Sequence, residues 1–178
     1  KKNVFKQLDA ATKSTAILAS NTSYLDVNEL AASIQDPSRV IGLHFFSPAH
    51  IMKLVEVIRT TSVADDVMAT ALALAKRLRK LPVPAGVCDG FIGNRIMSAY
   101  RLAGEYLLED GALPFEIDAA MKDYGFPIGL FEMQDLAGLD IGYAMRKRKV
   151  ETRDPNERYV DIPDKIYELG RLGRKSGA

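Results

Sequence analysis

The amino-acid sequence predicts an α/β domain followed by an all-α domain, and two observations lead to that fold class. Residues 1–88 alternate short, continuous apolar runs with amphipathic patterns of helical period, an order typical of a sheet with crossover helices. Beyond residue 88 the β-rich runs stop and only helical periodicity continues. We therefore predict two domains, residues 1–88 and residues 89–178.

Three helices are predicted in the first domain. An apolar spacing of three and four marks the first helix, which ends near residue 12. Asp26 or Asn28 can cap the second helix, which runs through residues 29–32. The third helix, residues 65–80, is strongly amphipathic. The apolar positions that define the first and third helices are Val4, Phe5 and Leu8, and Val67, Ala71, Leu74 and Leu78.

Four strands are predicted between and after these helices. Residues 16–19 form a short continuous apolar run, which is typical of a buried parallel strand. Two more apolar runs, residues 40–46 and 53–58, predict the second and third strands. Residues 81–84 contain two prolines, so they predict a short edge strand rather than a central one.

The second domain is predicted to consist of five helices. The first is a long helix over residues 91–109, and the next covers residues 114–122. Residues 130–148 predict two helices that are broken near Gly138. A final short helix covers residues 163–169 and ends at a glycine.

Composition excludes several classes of function. The net charge is +1, which argues against general binding to nucleic acid or to an anionic membrane. No apolar stretch approaches the roughly twenty residues that cross a bilayer. The single cysteine, Cys88, allows no internal disulfide, fits a reducing compartment and is interpreted as a bystander. The basic run at residues 146–149 is interpreted as a solvated helix end rather than a nucleic-acid patch. We predict no metal site.

The polar residues 20–23 follow the first strand directly. Ligands of open α/β sheets bind beyond the carboxyl ends of strands, so these hydroxyl and amide groups could meet a phosphate, a ribose or a carbonyl. A helix cap and turn would use the same residue types. The sequence alone leaves both interpretations open.

His44 and Glu56 are the candidates for proton transfer. Glu56 interrupts a strand that is apolar enough to be buried on both faces, where a carboxylate is costly unless it is paired. The chain has only two histidines, His44 and His50, and either could be the partner. A histidine–glutamate pair holds the imidazole in one tautomer and stabilises its cation. A core histidine and a solvated glutamate are the alternative interpretation.

Asn94 is a third candidate. It lies at the start of the long helix, next to two glycines, Gly90 and Gly93, that allow close approach of the backbone. Helix N-termini also favour developing negative charge, so Asn94 could donate to a polarised carbonyl. An ordinary capping asparagine is the alternative.

Together these segments resemble the 3-hydroxyacyl-CoA dehydrogenase family of fatty-acid β-oxidation, over essentially the whole chain. His44 stands twelve positions before Glu56 and fifty before Asn94, in the order and spacing of that family. The resemblance implies the C-terminal part of a Rossmann-like NAD-binding domain, followed by a helical C-terminal domain. The matching segments are residues 19–23, 42–48, 52–58, 90–95, 124–129, 138–140 and 170–177.

The resemblance also implies an activity and its residues. The reaction would be the reversible oxidation of a (3S)-3-hydroxyacyl-CoA to the 3-ketoacyl-CoA, with NAD as cofactor. His44 would be the general base and Glu56 the group that stabilises its cation. Ser23 would lie near both the substrate oxygens and the nicotinamide, and Asn94 would bind the acyl-CoA substrate.

Two further positions are implied to contact NAD. Ser47 stands where many members of the family have an asparagine, and Lys1 stands where the family has a cofactor-contacting lysine. The segments 47–50 and 171–175 resemble the dehydrogenase part of multifunctional β-oxidation enzymes more than the single-function enzymes. The expected partners are therefore a second copy, or other domains of a longer multifunctional chain, in the cytoplasm of a bacterium or the peroxisome or mitochondrial matrix of a eukaryote.

One element of the family pattern is absent. The sequence contains no Gly-x-Gly-x-x-Gly, the loop that cradles the pyrophosphate of a dinucleotide. We therefore expect these residues to be a catalytic piece of a longer enzyme, and we expect the piece alone to bind NAD weakly or not at all. The alternative functions are a non-catalytic helical module for oligomerisation, and a β-hydroxyacid dehydrogenase whose proton carrier is a lysine.

Overall fold

The computed structural model describes residues 1–177 and divides the chain into two compact units. The first unit is Lys1–Met97, and the second begins at Ser98. The prediction of an α/β part followed by an all-α part is confirmed, whereas the domain boundary at residue 88 stays a prediction. Among the described residues, no helix is long and apolar enough to span a membrane.

The first unit contains a mixed four-stranded sheet in the order β1-β2-β3-β4. β1 and β2 are parallel, as are β3 and β4, while β2 and β3 are antiparallel. All four predicted strands are confirmed, and β4 lies at an edge as its prolines require. The strands are Leu18–Ser20 (β1), Val40–Phe45 (β2), Leu54–Arg59 (β3) and Leu81–Gly86 (β4).

β1 differs from its prediction as a buried strand. It begins two residues later than predicted, at Leu18, and its central residue Ala19 is exposed. Leu18 and Ser20 are buried, so β1 buries only one face. Within the described sheet β1 lies at an edge, with β2 as its single neighbour.

The three predicted helices of the first unit are present as Lys2–Ala11 (α1), Val27–Ala31 (α2) and Asp65–Arg77 (α3). Asp26, not Asn28, caps α2, because its carboxylate accepts a hydrogen bond from the backbone amide of Asn28 at 2.7 Å. The Asn28 side chain instead accepts one from the amide of Thr61 at 2.9 Å.

The predicted apolar face of α3 is partly wrong. Leu74 and Leu78 are 44% and 50% exposed. The helix buries Val67, Met68, Ala71 and Ala75 instead. Val67, Ala71 and Ala75, which are spaced four residues apart, face the sheet. Small side chains let a helix lie close to a sheet, so the larger leucines face outward.

Apolar clusters cover the two faces of the sheet. One cluster contains residues of α1, α2 and the strands, and the other contains residues of α3 and the strands. Burial of this kind contributes about 25 cal/mol per Å² of apolar area. The sheet, and with it the end of β2, is therefore held firmly in place. The largest buried members are Phe5, Ile41, Ile58, Phe91 and Met68.

The second unit is helical, as predicted. The helix Gly93–Glu109 begins in the first unit and continues into the second. Gly138, at φ +97°, separates the helices Leu130–Ala137 and Leu139–Lys149. The basic run forms the last turn of the seventh helix, where Arg146 pairs with Asp164 at 2.6 Å. The helices are Gly93–Glu109 (α4), Pro114–Tyr124 (α5), Leu130–Ala137 (α6), Leu139–Lys149 (α7) and Ile162–Glu168 (α8).

Glu105 is a buried carboxylate in the part of α4 that belongs to the second unit. It is 4% exposed, and its Oε1 has no hydrogen-bond partner. Nε of Arg101 lies 3.7 Å from this oxygen, which is an ion pair but too long for a hydrogen bond. Burial is the main cause that raises the pKa of Glu105, against the attraction of Arg101.

Candidate active site

A chain of hydrogen bonds joins Ser23, His44 and Glu56. Oγ of Ser23 lies 2.9 Å from Nε2 of His44, and Nδ1 of His44 lies 2.6 Å from Oε2 of Glu56. The antiparallel register places His44 directly opposite Glu56 on the neighbouring strand. The spacing of twelve residues in the sequence is therefore the spacing of a cross-strand pair. Glu56 pairs with His44 and not with His50, which is exposed.

The other carboxylate oxygen of Glu56 is also fully used. Glu56 is only 1% exposed, and its Oε1 accepts hydrogen bonds from the backbone amides of Ile92 at 3.0 Å and Gly93 at 2.7 Å. Gly93 is the first residue of α4, so the positive end of that helix also faces the carboxylate. These donors offset the cost of burying a charge within the sheet.

The hydrogen bonds of His44 define which ring nitrogen carries the proton when the imidazole is neutral. An ionised carboxylate only accepts hydrogen bonds, so Nδ1 of His44 carries the proton that binds Glu56. Nε2 then offers a lone pair, and the Ser23 hydroxyl donates to it. The ring is therefore arranged to take up a proton at Nε2, with Glu56 stabilising the cation that results.

Two aromatic rings enclose the imidazole. The centroid of the Phe46 ring lies 4.7 Å from that of His44, and the centroid of Phe91 lies 5.5 Å away. His44 itself is 4% exposed. The site is therefore nearly dry, and low water content strengthens the interaction between the imidazole and Glu56.

The turn before α4 makes the contact with Glu56 possible. Gly90 and Phe91 both have positive φ, +74° and +49°. For a phenylalanine this conformation costs about 1–3 kcal/mol, and the burial of its ring, 1% exposed, offsets that cost. A Cβ on Gly93 would lie 2.6 Å from Cζ of Phe46, so any larger residue there would have to displace the Phe46 ring.

Of the two interpretations left open for the polar cluster after β1, the turn is confirmed, and the contact with a ligand stays a prediction. The hydroxyl of Thr22 accepts a hydrogen bond from the amide of Leu25 at 3.2 Å, as in a turn, while Ser23 binds His44. Asn21 has a role that sequence reasoning missed, because its Oδ1 accepts a hydrogen bond from the amide of Phe45 at 3.1 Å. That contact ties the Ser23 segment to the end of β2.

The remaining candidates differ in where they lie. Asn94 is 9% exposed and follows Gly93 directly in α4, within the same unit as His44. Ser47 is exposed beyond the end of β2, and Lys1 is exposed at the start of α1. The roles of these three residues stay predictions. Over the described residues, no group of three or more side chains could hold a metal ion.

Three features define the class of protein. An α/β sheet unit carries a buried histidine–carboxylate pair, the pair lies near the carboxyl end of β2, and a helical unit follows. No lysine takes part in the hydrogen bonds of His44 and Glu56 in the described structure, which argues against the lysine-based alternative. The fold and the site therefore define a protein of an α/β unit and a helical unit, with a histidine–carboxylate pair of the kind that general acid–base catalysis uses.

Comparison with known proteins identifies the family. Residues 1–88 match the family model for the NAD binding domain of 3-hydroxyacyl-CoA dehydrogenase, and residues 90–178 match the model for its C-terminal domain. The chain therefore belongs to the 3-hydroxyacyl-CoA dehydrogenase family. The resemblance inferred from the sequence is confirmed.

Individual relatives agree with this assignment. The peroxisomal bifunctional enzyme of Danio rerio is 44% identical over 188 residues, covering 99% of this chain and 26% of that protein. The fatty acid oxidation complex subunit alpha of Vibrio cholerae is 36% identical and covers 99% of this chain and 25% of that protein. The crystal structure of (S)-3-hydroxybutyryl-CoA dehydrogenase PaaH1 from Ralstonia eutropha superimposes with a TM-score of 0.90 at 37% identity, over 98% of this chain and 63% of that one. The chain thus spans about a quarter of the length of the curated relatives it matches.

Proposed function

We propose that this chain carries the proton-transfer residues of an NAD-dependent 3-hydroxyacyl-CoA dehydrogenase of fatty-acid β-oxidation. The observation that carries the proposal is the hydrogen-bonded series Ser23–His44–Glu56, in which Nε2 of His44 is the accepting atom. Family membership supports the substrate class, a (3S)-3-hydroxyacyl-CoA and its 3-ketoacyl-CoA product.

In the proposed reaction His44 acts as the base. The C3 hydroxyl of the substrate loses its proton to Nε2, C3 loses hydride, and the C–O single bond becomes a ketone. The imidazolium that forms keeps its Nδ1 proton on Glu56, whose buried charge stabilises it. In the reverse direction the same imidazolium returns the proton to the ketone oxygen.

The residues present fit the nicotinamide end of NAD. The parallel strands β1 and β2 direct their carboxyl ends to the same edge of the sheet, and polar side chains follow both. When bound there, NAD⁺ would supply the hydride acceptor. Ser23, Ser47 and Lys1 are the proposed cofactor contacts, and Ser23 and Asn94 the proposed substrate contacts.

The test is turnover of the gene product at its natural length, followed as acetoacetyl-CoA-dependent oxidation of NADH. His44→Ala should lower kcat by about 10³-fold or more with the fold intact, because general base catalysis and orientation are both lost. His50→Ala is the matched control, since His50 is exposed, and should retain wild-type turnover. Turnover of His44→Ala within a few-fold of wild type would refute the proposal.

We also propose that the helical unit associates with a second copy. An apolar groove of about 420 Å³ in that unit is lined by residues that include Leu107, Met121, Phe126 and Tyr124, and Tyr124 is 86% exposed. Light scattering of the purified chain would then show a dimer that Leu107→Lys converts to a monomer. A monomeric wild-type chain would favour packing against other domains of a longer polypeptide. The proposed compartment is bacterial cytoplasm, or peroxisome or mitochondrial matrix.

A further inference from the structure

The buried carboxylate of Glu56 needs more hydrogen-bond donors than His44 alone supplies. A carboxylate that is 1% exposed loses nearly all contact with water, so donors of the protein have to replace the hydrogen bonds that water would make. While His44 is neutral, it offers Glu56 a single donor, the Nδ1 proton. The rest of the stabilisation has to come from the two backbone amides that meet Oε1.

Those amides are presented by a specific backbone conformation. Gly90 and Phe91 have consecutive positive φ values, +74° and +49°, and the next two amides, of Ile92 and Gly93, both donate to the same oxygen. Successive amides that converge on one anion form a recognised anion-binding arrangement. The Phe91 side chain is 1% exposed, so packing holds the turn in this unusual conformation.

We propose that the Gly90–Phe91 turn is a positioning element: its two amides hold Oε1 of Glu56 so that Oε2 accepts from Nδ1 of His44, and this fixes the tautomer of His44. This inference rests on the proposed function, in which Nε2 of His44 is the base. If Glu56 were protonated, its hydroxyl would donate to Nδ1, the imidazole proton would move to Nε2, and Nε2 could no longer accept a proton from substrate. The two amides that donate to Oε1 therefore keep the imidazole proton on Nδ1.

The experiment deletes one amide and leaves every side chain in place. Isoleucine at position 92 is replaced by its α-hydroxy analogue, which puts an ester where the amide donates to Glu56 at 3.0 Å. The matched control is the same replacement at Ile96, whose amide donates an ordinary helical hydrogen bond to the Ile92 carbonyl, also at 3.0 Å. Each protein thus loses one backbone hydrogen bond of the same length.

The readout is the ¹⁵N spectrum of the two imidazoles over a pH series that descends to the pH at which histidine begins to take up a proton, because a protonated Glu56 takes its proton from solvent. The ester at position 92 should move part of the His44 population from the Nδ1–H to the Nε2–H tautomer, while the exposed His50 keeps its own spectrum. In the gene product at natural length, kcat should fall about tenfold with little change in KM, as expected for loss of one hydrogen bond to a charged group. The ester at position 96 should change neither quantity.

A second variant covers the case in which the ester protein does not fold. Gly90→Ala strains the turn at φ +74°, and its Cβ would also lie 3.2 Å from the Arg95 amide nitrogen and from the Asn94 Cβ. Gly170→Ala, at φ +73° in the second unit with no atom within 4 Å of the added Cβ, is the control for the backbone strain alone. Gly90→Ala should shift the His44 tautomer and lower kcat, and Gly170→Ala should do neither. An unchanged His44 tautomer in folded Ile92-ester or Gly90→Ala protein overturns the inference. A shifted tautomer together with full turnover in His44→Ala would instead overturn the proposed function.

Discussion

Replacing Glu56 by glutamine should abolish most of the turnover and leave the fold intact. The amide oxygen of the new side chain can still accept from the amides of Ile92 and Gly93, at 3.0 and 2.7 Å in the wild type. Its NH₂ group, however, replaces the oxygen that lies 2.6 Å from Nδ1 of His44, and an amide nitrogen only donates. Nδ1 must then be bare, and the imidazole proton moves to Nε2.

The size of the effect follows from this change in the tautomer of His44. A histidine held in the wrong tautomer costs about 10⁴-fold in kcat when it acts as a base. The side chain keeps its shape and two of its three hydrogen bonds, so the free energy of unfolding should change by less than about 2 kcal/mol. The assay is steady-state turnover with acetoacetyl-CoA and NADH, paired with thermal unfolding by circular dichroism.

The control uses another glutamate that accepts a backbone hydrogen bond. Glu116 accepts one from the amide of Leu113 at 3.1 Å at the start of α5, and Glu116→Gln should retain wild-type kcat. A kcat for Glu56→Gln within about tenfold of wild type would refute the reasoning, because Nε2 of His44 could then not be the proton acceptor.

Three other outcomes are expected. Glu105 binds protons more readily in the folded chain than unfolded, because burial raises its pKa, so stability should fall as pH rises above the ordinary glutamate range. Glu105→Gln should flatten that decline. The measurement is the melting temperature of both proteins as a function of pH, and an equal slope in the variant and the wild type would contradict the prediction. Gly93→Ala should cost about 1–3 kcal/mol in a urea unfolding titration, since the added Cβ would lie 2.6 Å from a ring carbon of Phe46; an unchanged midpoint would argue against the packing. Asn21→Ala should lower kcat measurably while the melting temperature changes little, because it frees the Ser23 segment from the end of β2. A kcat equal to that of the wild type would show that the hydrogen bond from the Phe45 amide to Asn21 has no catalytic role.

The central pair could be anticipated from the sequence because its physics is local. A carboxylate within an apolar strand requires a partner, and the chain has only two histidines to provide one. The choice of His44 over His50 required the antiparallel register of β2 and β3, which brings His44 opposite Glu56. The resemblance to the 3-hydroxyacyl-CoA dehydrogenase family implies the same pairing independently of the register.

Features that depend on backbone geometry could not be anticipated. The glycines at positions 90 and 93 indicated close approach, but not that the amides after them would bind Glu56. The positive φ of Phe91 has no signal in the sequence, because it is imposed by packing. The role of Asn21 was also hidden, since it depends on which amide lies opposite its side chain.

The apolar face of α3 shows the limit of periodicity. Leu74 and Leu78 fit the helical pattern as well as Ala75 does, and hydrophobicity alone favours the leucines. The helix nevertheless buries Ala75 and leaves the two leucines exposed, because a small side chain lets the helix lie close to the sheet. The exposed Ala19 of β1 is a similar case, because a continuous apolar run does not reveal how many faces are covered.

The central claim is that His44 and Glu56 act as one unit in proton transfer, and a double-mutant cycle on kcat tests it most directly. Residues that act as a unit are strongly non-additive. The double variant His44→Gln/Glu56→Gln should therefore have a kcat within about threefold of that of His44→Gln alone. If the losses of the two single variants instead multiply in the double variant, the residues work independently and the account is contradicted.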